Sequence, residues 1–97
     1  MRRRYIVAYD VTDPKRLRLT HRTLLGFGDP LQYSVFRCDL LPVERIQLLE
    51  RVGAVIDHRA DRVLLADLGP VAGRGARAIE FVGQRLELPP GVGPIIV

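Results

Sequence analysis

The stretch Tyr5-Ile6-Val7-Ala8-Tyr9-Asp10-Val11-Thr12-Asp13-Pro14 decides how this chain folds. Tyr5 to Tyr9 is continuous, apolar and β-prone, the pattern of a strand covered on both faces in the middle of a sheet. The strand, read over residues 4–11, meets its first charge at Asp10. Asp13-Pro14 then reads as an N-cap followed by proline at the first helical position. The helix runs to about Leu25, where Gly26 and Gly28 end it. At helical spacing, Leu17, Thr20, His21 and Leu24 share an inward face, while Lys15, Arg18 and Arg22 form a basic stripe on the opposite one.

Working outward, residues 31–40 (Leu31-Gln32-Tyr33-Ser34-Val35-Phe36-Arg37-Cys38-Asp39-Leu40) are strand-like again. They fit either one bent strand or two short ones with a kink near Tyr33-Ser34. Pro42 opens a second helix to about Ile56, with Ile46, Leu49, Val52 and Ile56 expected inside. Residues 62–68 form the next strand, stopped by Gly69-Pro70. Gly73-Arg74-Gly75 reads as a flexible connection, and residues 78–82 alternate like a short half-buried strand. Pro89-Pro90-Gly91 breaks the chain before the apolar, strand-prone Ile95-Ile96-Val97.

The pattern β-α-β(β)-α-β is an α+β, ferredoxin-like two-layer sandwich. It forms a single domain, with a core over residues 1–70 and a C-terminal extension over 71–97. So small a core has little left for an apolar tail to join. Strand addition to a second copy would bury both edges, so the expectation is a homodimer that exchanges this extension.

The chain has 97 residues, 47% hydrophobic and 27% charged, which excludes disorder and any large two-domain enzyme. No apolar run is long enough to span a membrane. Met1-Arg2-Arg3-Arg4 leads straight into the first strand, so a cytoplasmic location is expected. One cysteine, Cys38, excludes an internal disulfide and reads as a buried small hydrophobe. Residues 1–40 hold 8 basic and 4 acidic side chains, whereas residues 41–97 hold 7 of each. All the basic residues but Lys15 are arginine, whose planar fork suits phosphate oxygens. The basic N-terminal part (Arg2, Arg3, Arg4, Lys15, Arg18 and Arg22) therefore points to nucleic acid, the alternative being a solvated surface. With only six aromatic residues, base stacking by an RRM-type surface is disfavoured.

Asp10 is the outstanding chemical candidate. It stands at the C-terminal end of the central strand, and hard cations such as Mg²⁺ take carboxylate oxygens while keeping several waters. One carboxylate is too few, and a two-fold dimer supplies a second. The alternative is that Asp10 caps its own turn. Asp13 reads as an N-cap; Asp67 and Asp39 are weaker ligand candidates. Tyr9 alternates to the face opposite Asp10. His21 reads as a packed or hydrogen-bonded histidine, and His58 as solvated. No histidine pair has zinc spacing. Ser34 lacks a nucleophile elbow.

Three stretches together resemble one family: residues 5–13 (Y-I-V-A-Y-D-V-T-D) followed by Arg16 and Arg18; Gly28 with residues 32–40 (Q-Y-S-V-F-R-C-D-L); and residues 61–65 before Gly69-Pro70. The chain is similar over about residues 4–70 to the small CRISPR-associated "Cas-two" proteins. The resemblance implies a ferredoxin-like homodimer with a crossed-over C-terminal strand. It implies a role in spacer acquisition, bound to the larger CRISPR integrase subunit and to duplex DNA. It further implies Mg²⁺-dependent endonuclease activity on single-stranded RNA or double-stranded DNA, with one Mg²⁺ per dimer shared by the two Asp10. By motif position, Tyr9, Arg16, Arg18, Ser34 and Phe36 are the accompanying site residues. The sequence departs from the family at Asp29-Pro30-Leu31, where a basic residue is common. The competing reading is a non-catalytic adaptor that holds DNA between integrase dimers; a small-molecule regulatory domain fits the fold but not the motif.

Overall fold

The structure, a computed structural model, describes residues 1–84. Four strands and two helices follow one another: β1 (Arg3–Asp10), α1 (Pro14–Leu25), β2 (Asp29–Gln32), β3 (Val35–Leu40), α2 (Pro42–Val55) and β4 (Arg62–Pro70). The sheet order is β2-β3-β1-β4, and every pairing is antiparallel. The expected ferredoxin-like sandwich is what forms, with β1 central as its apolar run requires. The break in residues 31–40 is real: Tyr33 and Ser34 turn the chain between β2 and β3, Ser34 at φ 62.

Both helices cover one face of the sheet. Tyr5, Val7 and Tyr9 of β1 point into that layer, joined by Phe36, Cys38, Leu24, Leu48 and Val52. Each large side chain buried there contributes about 1.5–3 kcal/mol. Asp13 caps α1 as expected, its carboxylate accepting the Arg16 N–H at 2.9 Å. The packing of α2 differs from the expected phase. Leu48 and Val52 are its buried residues, whereas Ile46 is 54% and Leu49 41% exposed. Apolar residues lie on several sides of this helix, so periodicity alone does not choose the face. Gly28 lets α1 hand over to the sheet: a Cβ there would sit 2.1 Å from the Arg37 carbonyl oxygen and 2.7 Å from Cys38 Sγ.

Beyond β4 the chain departs from its sequence pattern. Residues 74–77 close a short 3-10 turn rather than a flexible connection. That turn packs on β1 and β4, with Arg4 Nη1 donating to the Gly75 carbonyl at 3.2 Å. Residues 78–82 form no strand; alternation supplies a side-chain pattern but no ladder partner. The Pro89-Pro90-Gly91 break and the exchanged strand at Ile95-Ile96-Val97 lie outside the described residues. No helix among the described residues is long and apolar enough to cross a membrane.

Candidate nucleic-acid interface

Period-two alternation places neighbours on opposite faces of a strand, and the end of β1 uses this. Tyr9 is buried beneath the helices, while Asp10, the last strand residue, is exposed on the other side. Asp10 pairs in the ladder with Arg62 of β4, and the two share a shallow groove with Ala8, Tyr9 and Leu64. The Asp10 side chain has no hydrogen bond or ion pair among the described residues. The face it borders carries Ile6, Ala8, Leu64 and Ala66, aligned by the β1–β4 register and covered by neither helix. Leu64 is 58% exposed there.

The other aspartates among the described residues are engaged. Asp13 caps α1. Asp61 binds the Arg16 guanidinium at 2.8 Å and accepts the Asp57 N–H at 2.8 Å. The hydrogen bond from Arg16 is the leading reason the Asp61 carboxyl stays below its ordinary range. Asp67 accepts the Gly69 N–H and the Arg3 guanidinium, in that order of influence, and is lowered likewise. Asp39 holds Arg4 through two bonds of 2.8 and 3.0 Å. No group of three His, Cys, Asp or Glu residues that could hold a metal exists among the described residues. A divalent cation therefore finds one free carboxylate at this strand end per chain, and carboxylate oxygen is the donor Mg²⁺ takes.

The eight basic residues of positions 1–40 divide into two sets. Arg2 pairs with Glu44, Arg3 with Asp67, Arg4 with Asp39, Arg16 with Asp61 and Arg37 with Asp29. The N-terminal arginines read from sequence as a phosphate surface thus have their charge compensated within the chain. The side chains of Lys15, Arg18 and Arg22, on the outer side of α1, have no ion pair or hydrogen bond among the described residues.

Tyr9, Ser34 and Phe36 come together as one cluster. The Tyr9 hydroxyl lies 3.2 Å from His21 Nδ1, and the Phe36 ring packs at 6.2 Å from Tyr9 and 5.3 Å from His21. Burial pushes the Tyr9 phenol above its ordinary pKa, and a hydrogen bond with Ser34 partly offsets this. The Ser34 carbonyl also accepts the Tyr9 N–H at 3.0 Å. Phe36 is fully buried and touches no solvent, so it braces Tyr9 and His21. Arg16 sits apart, bound to Asp61. Two residues were missed from sequence: Arg62, whose place beside Asp10 depends on strand register, and Tyr33, 101% exposed at the hairpin tip.

A family model described as CRISPR associated protein Cas2 matches residues 1–71. The CRISPR-associated endoribonuclease Cas2 1 of Rhodospirillum rubrum is 41% identical over 83 residues, which cover 86% of this chain and 80% of that protein. The CRISPR-associated endoribonuclease Cas2 of Geobacter sulfurreducens is 41% identical over 66 residues, 68% of this chain and 70% of that protein. A crystal structure of Streptococcus pyogenes Cas2 superposes with a TM-score of 0.72 at 30% identity, covering 82% of this chain and 99% of that one.

Proposed function

The chain belongs to the CRISPR-associated Cas2 family, and on that premise we propose that it is a CRISPR adaptation subunit acting as a two-fold dimer with metal-assisted endonuclease activity. The observation that carries this reading is Asp10: a carboxylate at the end of the central strand with no partner among the described residues, beside an apolar sheet face that neither α1 nor α2 covers. Packing that face against a second copy buries Ile6, Ala8, Leu64 and Ala66 and provides the second Asp10 that a shared Mg²⁺ requires. The bound metal would supply a Lewis acid and a water of lowered pKa. On the opposite face of β1, Tyr9 is braced by Phe36 and His21, and Arg62 lies across the ladder from Asp10 as its nearest cation in register. Arg16 acts at one remove, anchoring the start of α1 to Asp61. The substrate is single-stranded RNA or duplex DNA, and the larger CRISPR integrase subunit is the protein partner.

The test compares wild type with Asp10→Asn on labelled single-stranded RNA and duplex DNA, in Mg²⁺ and in EDTA. Metal-dependent cleavage that disappears in the variant supports the reading. Equal cleavage by both proteins refutes it. A second reading, a non-catalytic bar that holds duplex DNA between integrase dimers, is favoured by one observation: Lys15, Arg18 and Arg22 are uncompensated on a single helix face. It expects undiminished DNA binding by Asp10→Asn, with no cleavage by either protein.

A further inference from the structure

A groove of about 780 Å³ separates α1 from the β2–β3 hairpin. Its walls are largely apolar: Leu17 and Leu25 of α1 on one side, Pro30 and Leu31 of β2 on the other, with the Tyr9–His21 pair at one end. Arg18 and Arg22 rise from the helix side, and no carboxylate among the described residues lines it. At four residues apart on a helix, the two guanidinium groups flank one another. Tyr33 stands fully exposed at the hairpin tip on the far side, presented by the left-handed Ser34. An apolar slot, an exposed ring and two uncompensated cations together fit a ligand with a flat apolar body and an attached anion.

We propose that this groove takes an unpaired base of a nucleic-acid strand, stacked on Tyr33, with the adjoining phosphates on Arg18 and Arg22. This rests on the nucleic-acid reading above and goes beyond it. A base held in a duplex cannot enter the slot, so the groove makes the protein prefer a single strand, or a frayed duplex end, over a blunt duplex. The Asp10 groove and this one share Tyr9. A strand crossing the end of β1 therefore presents a phosphate to one face and a flanking base to the other, and cleavage is restricted to positions next to an unpaired nucleotide.

The experiment measures affinity for a short single strand carrying a fluorescent purine analogue, and for a blunt duplex of the same sequence. It uses wild type, Tyr33→Ala and Tyr33→Phe. Tyr33 is exposed, so both variants keep the fold. Loss of one stacked base reduces the preference for the single strand about tenfold in Tyr33→Ala. Tyr33→Phe restores the preference, and the fluorescence change of the analogue is lost only in Tyr33→Ala. Tight single-strand binding that ignores Tyr33→Ala overturns the groove assignment and leaves the wider reading standing. Failure of wild type to bind either nucleic acid overturns that wider reading. A shift in oligomeric state without a shift in affinity overturns the groove assignment too, and gives the groove to a second copy of the chain.

Discussion

Replacing Arg4 with methionine removes one half of an ion pair that is almost wholly out of water. The Arg4 side chain is 11% exposed and that of Asp39 2%. Two bonds of 2.8 and 3.0 Å join the guanidinium fork to the carboxylate, and a further nitrogen reaches the Gly75 carbonyl at 3.2 Å. The hydrogen bond to Asp39 is the main reason the Arg4 pKa lies above its ordinary value. Truncating one partner strands the other charge, a loss of about 3–5 kcal/mol. A domain of this size has a total of about 5–15 kcal/mol. At about 4–8 °C per kcal/mol, Arg4→Met should melt at least about 12 °C below wild type, measured by circular dichroism. Replacing both partners, as Arg4→Met with Asp39→Leu, should recover most of that loss, because a buried pair exchanged for apolar side chains is often neutral. An Arg4→Met protein that melts with wild type yet binds nucleic acid more weakly would refute this reasoning and make Arg4 a phosphate ligand.

The paired and unpaired arginines should separate in a salt titration. Changing Lys15, Arg18 and Arg22 together to alanine should flatten the dependence of log affinity on log salt by up to about 2 per chain for single strands. Arg3→Ala should leave that slope alone, and an equal effect from Arg3→Ala would contradict the division. Cys38 is fully buried and its thiol is pushed up to about 12, chiefly by burial. A thiol reagent at neutral pH should label it only as the protein unfolds, and rapid labelling of the native protein would contradict its place in the core. Asp61 and Asp67 titrate below their ordinary range when folded. The stability they contribute is complete above about pH 4 and is lost as pH falls through the folded values. Asp61→Asn should flatten that acid limb of a denaturation series, and an unchanged limb would show that Asp61 contributes nothing to it.

What the sequence carried locally was legible, and what depended on distant pairing was not. The apolar run of β1 and the Asp13-Pro14 cap are written in neighbouring residues. So is the placing of Tyr9 and Asp10 on opposite faces, which needs only the strand's period of two. Residues 31–40, by contrast, fit one bent strand or two, and the left-handed Ser34 decides it. The fates of Arg2, Arg3 and Arg4 were hidden, because their partners Glu44, Asp67 and Asp39 lie 42, 64 and 35 residues away. A count of charges shows an excess but not which charges are cancelled. The inner face of α2 was hidden for a different reason. Val43, Ile46, Leu48, Leu49, Val52 and Val55 surround much of the helix, so several faces are apolar enough to bury. Arg62 gained its place beside Asp10 from the β1–β4 register, which no local signal specifies.

Two independent shortages in the single chain point to the same remedy. At the end of β1 there is one uncommitted carboxylate, and a hard cation that favours several oxygen ligands is held poorly by one. On α1 there are three uncompensated cations, and phosphate affinity grows with the number of phosphates neutralised. Capping and ion pairing keep both numbers small, since they consume Asp13, Asp61, Asp67 and Asp39 among the carboxylates and Arg16 on α1. On the proposed reading, a two-fold axis through the uncovered sheet face would double the carboxylates and the cations in one step. The same axis would bury Leu64, which is exposed in the single chain. On the proposed reading, association and nucleic-acid chemistry are therefore coupled: Leu64→Arg, which opposes the packing of that face, should weaken the dimer and the metal dependence together. A monomeric Leu64→Arg protein with full Mg²⁺-dependent cleavage would show that one Asp10 suffices and that the two-fold argument is wrong.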